Sequence, residues 1–218
     1  MSLKAGERPA GSSRPKRNPS ATRRALLEAA RQEFAAKGLA GGRVDEIAAR
    51  AGVNKQLVYH HFGDKAGLYL TVLEGLYQEI RTREHALELE GLAPEAAIRK
   101  LTEASFDHLA DHPDFVALLT DENRHGAVHI KGSTRLTAMH SPFVELIRET
   151  LRKGEEAGVF RAGIDPLQLY ISIAGLAFFF FSNTPTLSAI FDTDLSQAKA
   201  IKDRRAHVVD LVMNALRP

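Results

Sequence analysis

The chain has 218 residues, 26% of them charged and 44% hydrophobic, with a formal net charge of +2 and no cysteine. That length buries a sizeable core in one small domain plus a larger one, and the missing cysteine excludes disulfides and thiolate metal sites. The longest apolar run, Leu169 to Phe181, is interrupted by Ser172 and falls short of the ~18 residues a bilayer requires, and residues 1–20 lack the apolar centre of a secretion signal. The expectation is a soluble cytoplasmic protein with no membrane partner.

Charge is unevenly spread along the chain. Residues 1–65 carry 13 basic and 6 acidic side chains, a net of +7, whereas residues 66–218 are net −5. The positive field therefore sits on the amino-terminal end. Lys4, Arg8, Arg14, Lys16 and Arg17 stand among glycine, serine and proline, so residues 1–19 are expected to form a disordered basic arm. Such an arm suits contact with phosphates or a minor groove, and its composition is equally that of a solubilising tail without a role.

A first helix is expected from Ala21 to Lys37, closed by Gly38. Val44, Ile47, Ala48 and Ala51 then recur at three- and four-residue intervals, giving a short second helix one apolar face. Gly52 stops this pattern, because glycine enters the left-handed conformation of a sharp turn without steric cost. Asn54 supplies a side-chain oxygen to the next helix and reads as its N-cap. At about 100° per residue, Lys55, Gln56, Tyr59 and His60 share one arc of that helix, while Val58 and Phe62 share another. One face packs and the other points outward, which is the arrangement of a helix-turn-helix. Lys55 and Gln56 lie in the first turn, where base edges are read, and glutamine can bond adenine in a bidentate way. Tyr59 and His60, one turn on, reach phosphate oxygens.

From Thr22 to Leu68 the chain resembles the N-terminal domain of TetR-type transcriptional repressors. The likeness rests on the order of helices and on Ala-Gly-Val-x-Lys-x-x-x-Tyr-x-His-Phe-x-x-Lys, which spans Ala51 to Lys65. It implies that Lys55, Gln56, Leu57, Tyr59 and His60 face double-stranded DNA and that Lys65 grips backbone phosphate. Asn54, heading the same helix, joins this set. Leu57 departs from the small polar residue usual at its position, which offers a contact with a thymine methyl instead. Arg43 departs from the usual threonine, leaving Gly42 as the expected cap and Arg43 as an added phosphate contact.

The remainder reads as helices. Leu68, Tyr69, Val72, Leu73, Leu76 and Ile80 keep a period of about 3.6, so a fourth helix is expected from about Asp64 to the high eighties. Pro94 opens a helix carrying Ile98, Leu101 and Leu109, and Pro113 marks the next break. Ser141-Pro142 is expected to open another, ending near Gly154 or Gly158. Asp165-Pro166-Leu167-Gln168 combines a cap, a first-turn proline and a capping-box glutamine. The last helix carries Ile201, Val208, Leu211, Val212 and Ala215. The expected fold class is all-α, with a helix-turn-helix domain over residues 20–66 joined by a long helix to a helical ligand-binding and dimerisation domain over residues 67–218.

The same resemblance implies a homodimer formed through the last two helices, for which Leu169, Ile173, Leu176, Phe180, Val208 and Leu211 are candidates; the alternative for each is internal core. It also implies a small-molecule effector in a largely apolar cavity. Phe106, Leu109, Phe115, Phe143, Ile147, Leu176 and Phe179 are its candidate walls, and Asn123, Arg124, His125 and His129 its polar anchors.

Competing chemistries are weakly signalled. His108 with His112, and His125 with His129, stand four apart, but no third ligand or zincin glutamate accompanies them, so no metal site is expected. Ser196 to Lys199 fits Ser-x-x-Lys without its partner motifs, and no glycine loop for phosphate occurs. No catalytic residue and no cofactor are expected. The expected function is a ligand-responsive repressor that binds a palindromic operator; the alternative is a non-specific DNA binder.

Overall fold

The computed structural model describes residues 18–218, apart from the side chains of residues 140 and 141. The basic arm expected at the amino terminus lies, up to residue 17, outside the described residues. Among those described, every regular element is helical.

Helix α1 (Pro19–Gly41) starts two residues before Ala21, because Asn18 Oδ1 accepts the Ser20 N–H at 3.1 Å and Pro19 occupies the first helical position. The expected stop at Gly38 is a kink instead: Gly38 adopts φ 66°, ψ 177°, and a further turn reaches Gly41. Helices α2 (Val44–Ala51) and α3 (Gln56–Phe62) follow, then α4 (Lys65–His85), whose cap Asp64 accepts the Gly67 N–H at 2.7 Å. After a short 3-10 turn come α5 (Pro94–Asp111) and α6 (Pro113–Arg124), each opened by its proline.

Helix α7 (Thr134–Glu156) corrects one boundary. It starts not at Ser141-Pro142 but eight residues earlier, where Ser133 Oγ accepts the Leu136 N–H at 3.3 Å, and Pro142 lies inside it. Helix α8 (Pro166–Ile190) is capped as expected by Asp165, which accepts the Gln168 N–H at 2.8 Å, and α9 (Ala198–Leu216) closes the chain.

Two apolar clusters hold these helices together. One runs without interruption from Leu26, Phe34, Ile47 and Val58, through Leu68, Tyr69 and Leu73, to Phe106, Leu118 and Phe180. The helix-turn-helix and the upper body thus share a single core, with Tyr69 of α4 edge-on to Phe34 of α1 at 5.3 Å. The other unites α5, α7, α8 and α9 around Ile98, Ile147, Ile173 and Val212.

The uninterrupted apolar run understated α8, whose 25 residues are long and apolar enough, by length and composition, to cross a membrane. It packs in this fold against α5, α6, α7 and α9. Leu169, Ile173, Phe180 and Val208, proposed from sequence for a dimer face, are buried in the chain's own core, Leu176 is half-buried, and Leu211 is exposed. The outward large apolar side chains of α8 are Leu167, Ile171, Phe179 and, at its end, Ile190.

Candidate nucleic-acid interface and effector cavity

The corner between α2 and α3 is built as its residue types demand. Gly52 adopts φ 65°, ψ 38°, and its N–H and that of Val53 close back onto Ala49 and Ala48 carbonyls at 3.0 Å. Asn54 Oδ1 accepts the Gln56 N–H at 2.9 Å, so it caps α3 although regular helix begins only at Gln56. Val58 is fully buried, and Leu57 and Phe62 pack partly against the core. Arg43, Asn54, Lys55, Gln56, Tyr59 and His60 are exposed together around this corner, whereas half of Leu57 is committed to packing.

The neighbouring charges qualify individual roles. Gly42 is not the cap of α2: Arg43 occupies that position without a side-chain cap, and its N–H goes to Glu33 Oε1 at 3.2 Å. Lys37, bonded to the buried Glu33 at 2.8 Å, together with that N–H, holds the carboxyl below the usual carboxylate range against its desolvation. Lys55 Nζ lies 2.9 Å from Asp45 Oδ1. Lys65 Nζ donates to the Ala40 carbonyl at 3.1 Å, near the end of α1. Sequence reasoning missed Arg23, whose guanidinium stands 5.3 Å from the Phe62 ring and brings another exposed cation beside α3. Only the packing of α1 on α3 reveals it.

A cavity of about 540 Å³ opens between α4, α5, α6 and α8. Of the residues named from sequence for an effector cavity, Leu109, Phe115 and Asn123 line it. The other candidates sit elsewhere. Phe106 is fully buried against Phe180 and Phe181, and Phe143 and Ile147 belong to the lower core. Leu176 faces the groove between α8 and α9, and Phe179 is 56% exposed. Arg124 and His125 are exposed beyond the cavity, and His129 Nδ1 pairs with Glu122 at 2.9 Å.

Besides Asn123, the polar part of the wall comes from residues that the sequence reading did not assign to it, among them Arg81, Arg83 and Glu84 of α4, Ser105 and His108 of α5 and Tyr170 of α8. Arg81 pairs with Glu84 at 2.9 Å and stands over the Phe143 ring at 4.2 Å. Burial pushes the Glu84 carboxyl up to about 7, against the pull of Arg81. Burial, reinforced by His112 and Arg83, brings His108 down to about 4, so its ring is neutral near pH 7.

A helix-turn-helix with an exposed polar and basic arc, sharing its core with a helical body that encloses a cavity, defines a DNA-binding regulator rather than an enzyme. The comparisons with known proteins agree. Residues 26–72 match the family described as bacterial regulatory proteins, tetR family, and residues 94–212 match the Tetracyclin repressor-like, C-terminal domain. The chain belongs to the TetR family of transcriptional regulators.

It is 35% identical over 196 residues to the HTH-type transcriptional repressor NicS of Pseudomonas putida, covering 90% of this chain and 92% of that protein. With the HTH-type transcriptional repressor SCO4008 of Streptomyces coelicolor it shares 31% identity over 162 residues, 74% and 79% of the two chains. Among solved structures, the transcriptional regulator SCO4942 from Streptomyces coelicolor superposes with a TM-score of 0.67 at 28% identity, covering 90% of this chain and 99% of that one. Regulators of this family bind DNA and small-molecule effectors and are dimeric.

Proposed function

We propose that this chain is a ligand-responsive repressor: a homodimer holds a palindromic operator through its two α3 helices, and a small molecule in the α4–α5–α6–α8 cavity releases it. The observation that carries this reading is that α4 and α6 each belong to both parts. Helix α4 contributes Tyr77, Ile80, Arg81 and Glu84 to the cavity, and its first turns pack on α1 and α3. Helix α6 contributes Phe115, Leu119 and Asn123, and Arg31 of α1 ties Asp114 at its head to Glu79 of α4. An effector that prefers a different spacing of these helices moves the recognition helices with them. It shifts the equilibrium only by its differential affinity for the two states, ~1 to 3 kcal/mol in typical cases.

Repression is supported by the names of the relatives NicS and SCO4008. Residues Arg43, Asn54, Lys55, Gln56, Tyr59, His60 and Lys65 form the DNA-facing set, with Arg23 added to it. Two copies pair through the outward face of α8 and α9, around Phe179 and Leu211. Regulation of chromosomal operators assigns the protein to the cytoplasm.

The test is a displacement screen, in which compounds are scored for release of a labelled operator from the wild type and from Ala174→Trp, which fills the cavity. Release by some compounds from the wild type alone supports the reading. If compounds that bind the cavity leave operator affinity unchanged, ligand-controlled release is wrong.

A further inference from the structure

Unsatisfied polar atoms collect at one place in this fold. Among the described residues, the buried side-chain nitrogens and oxygens without a hydrogen-bond partner are Nε and Nη1 of Arg81, Oε2 of Glu84, Nε2 of His108 and Nε of Arg204. All but the last belong to residues that line the α4–α5–α6–α8 cavity. Folded proteins rarely leave several such groups together, since each has lost its water without replacing it.

The chemistry of these atoms is mostly of one kind. Arg83 Nη1 lies 3.3 Å from His108 Nδ1, and a guanidinium can only donate, so Nδ1 accepts and the ring proton sits on Nε2. His108 thus presents an N–H without an acceptor. Arg81 Nη1 and Glu84 Oε2 are 2.9 Å apart, an ion pair whose alignment does not make a hydrogen bond, and Arg81 Nε has no partner either. Arg81 Nε–H and His108 Nε2–H therefore lack acceptors altogether, and Arg81 Nη1 has only its ion pair with the Glu84 carboxylate. Arg81 is fixed from behind by the Phe143 ring at 4.2 Å. Burial favours the protonated form of Glu84, which leaves part of the Arg81 charge uncompensated near neutral pH. Leu109, Phe115, Leu119, Ala174 and Phe178 give the wall a broad apolar part, and Ser105 and Asn123 add uncharged polar groups to it.

We propose that the effector is a small aromatic carboxylate, its anionic head taken by Arg81 and His108 and its ring laid against Phe115, Leu119 and Phe178. The proposal rests on the reading that this cavity is the effector site. Carboxylate oxygens supply the acceptors that these donors lack, and a charge-assisted bond formed away from bulk water is stronger than its neutral counterpart. A flat ring suits a cavity of about 540 Å³ walled by Phe115 and Phe178.

Isothermal titration of the full chain with benzoate, 2-naphthoate and the amides of both acids tests this directly. Each acid is expected to bind the wild type at least ~10-fold more tightly than its amide. Arg81→Gln should erase that preference, His108→Leu should reduce it, and Ala174→Trp should abolish binding of acids and amides alike. Amides that equal or exceed the acids in the wild type, while Ala174→Trp still blocks them, overturn the anionic class and leave the cavity as the site. Acids that bind Ala174→Trp as well as the wild type overturn the cavity reading itself. Absence of binding by all four at millimolar concentration overturns the proposal.

Discussion

The Leu39 N–H donates to Asp121 Oδ2 at 2.9 Å, tying the end of α1 to α6 across 82 positions of sequence. The same carboxylate lies 3.5 Å from the Tyr69 hydroxyl of α4. One side chain of α6 therefore touches both the helix that supports the recognition corner and the helix that leads into the body. Helices α1 and α6 are thus joined by a hydrogen bond as well as by packing.

Gly38 makes this junction sensitive to a single methyl group. Its φ of 66° with ψ of 177° is a region essentially restricted to glycine, and a Cβ there would stand 2.8 Å from Asp121 Oδ1. Gly38→Ala is expected to destabilise the protein by about 1 to 3 kcal/mol in chemical denaturation. A loss below ~0.5 kcal/mol would show that the junction relaxes freely.

Lys55 is engaged by Asp45 at 2.9 Å, and the pair must open for Lys55 to meet DNA. Asp45→Asn removes that competition and one negative charge from the DNA-facing side. Affinity for every duplex should rise about two- to fivefold at low salt, as read by fluorescence anisotropy. An unchanged or lowered affinity would place Lys55 away from the duplex.

Gln56 and Lys65 should fail differently when truncated. Gln56→Ala should flatten preference at one base pair by ~1 to 3 kcal/mol, whereas Lys65→Ala should weaken all sequences and lower the salt slope by about one unit. Because Lys65 also bonds the Ala40 carbonyl, the slope separates a phosphate contact from a merely structural one. A weaker complex with an unaltered slope assigns Lys65 to holding α1.

The cavity carboxyl gives stability a definite dependence on pH. Glu84 has its folded pKa raised from 4.5 to about 7, so its contribution is present below 4.5 and is lost as pH rises through 7. His108 runs oppositely: its pKa falls from 6.5 to about 4, so its contribution is present above 6.5 and is lost as pH falls toward 4. Comparison with Glu84→Gln isolates the first effect. The variant should gain on the wild type in thermal stability as pH rises from 4.5 to above 7. A gap that stays constant over that range would show that Glu84 titrates as it does in water.

The parts of this molecule that were legible from sequence are those fixed by local chemistry. Gly52, Asn54 and the apolar spacing of Val58 and Phe62 specify the corner, and Asp165-Pro166 specifies the start of α8, because caps and turns need few neighbours. The start of α7 was misread because Ser141-Pro142 looks like a helix opening, while Leu136 already belongs to the same apolar stripe as Phe143 and Ile147. The cavity was only partly visible. Phe106, Phe143 and Ile147 have the composition of a wall but serve as core, whereas nothing in the spacing of Arg81, Glu84 and His108 marks them as buried. Which polar side chains lose their water is decided by helix packing, and no local pattern records it.

Selection of bound fragments from a pool of random duplexes, using the purified full chain, tests the central claim most directly. It should yield a palindrome whose half-sites are centred about one duplex turn apart, ~34 to 36 Å, or a multiple of it, bound at least ~10³-fold more tightly than random duplex. Enrichment of no sequence, with all duplexes held equally, would contradict an operator-reading repressor.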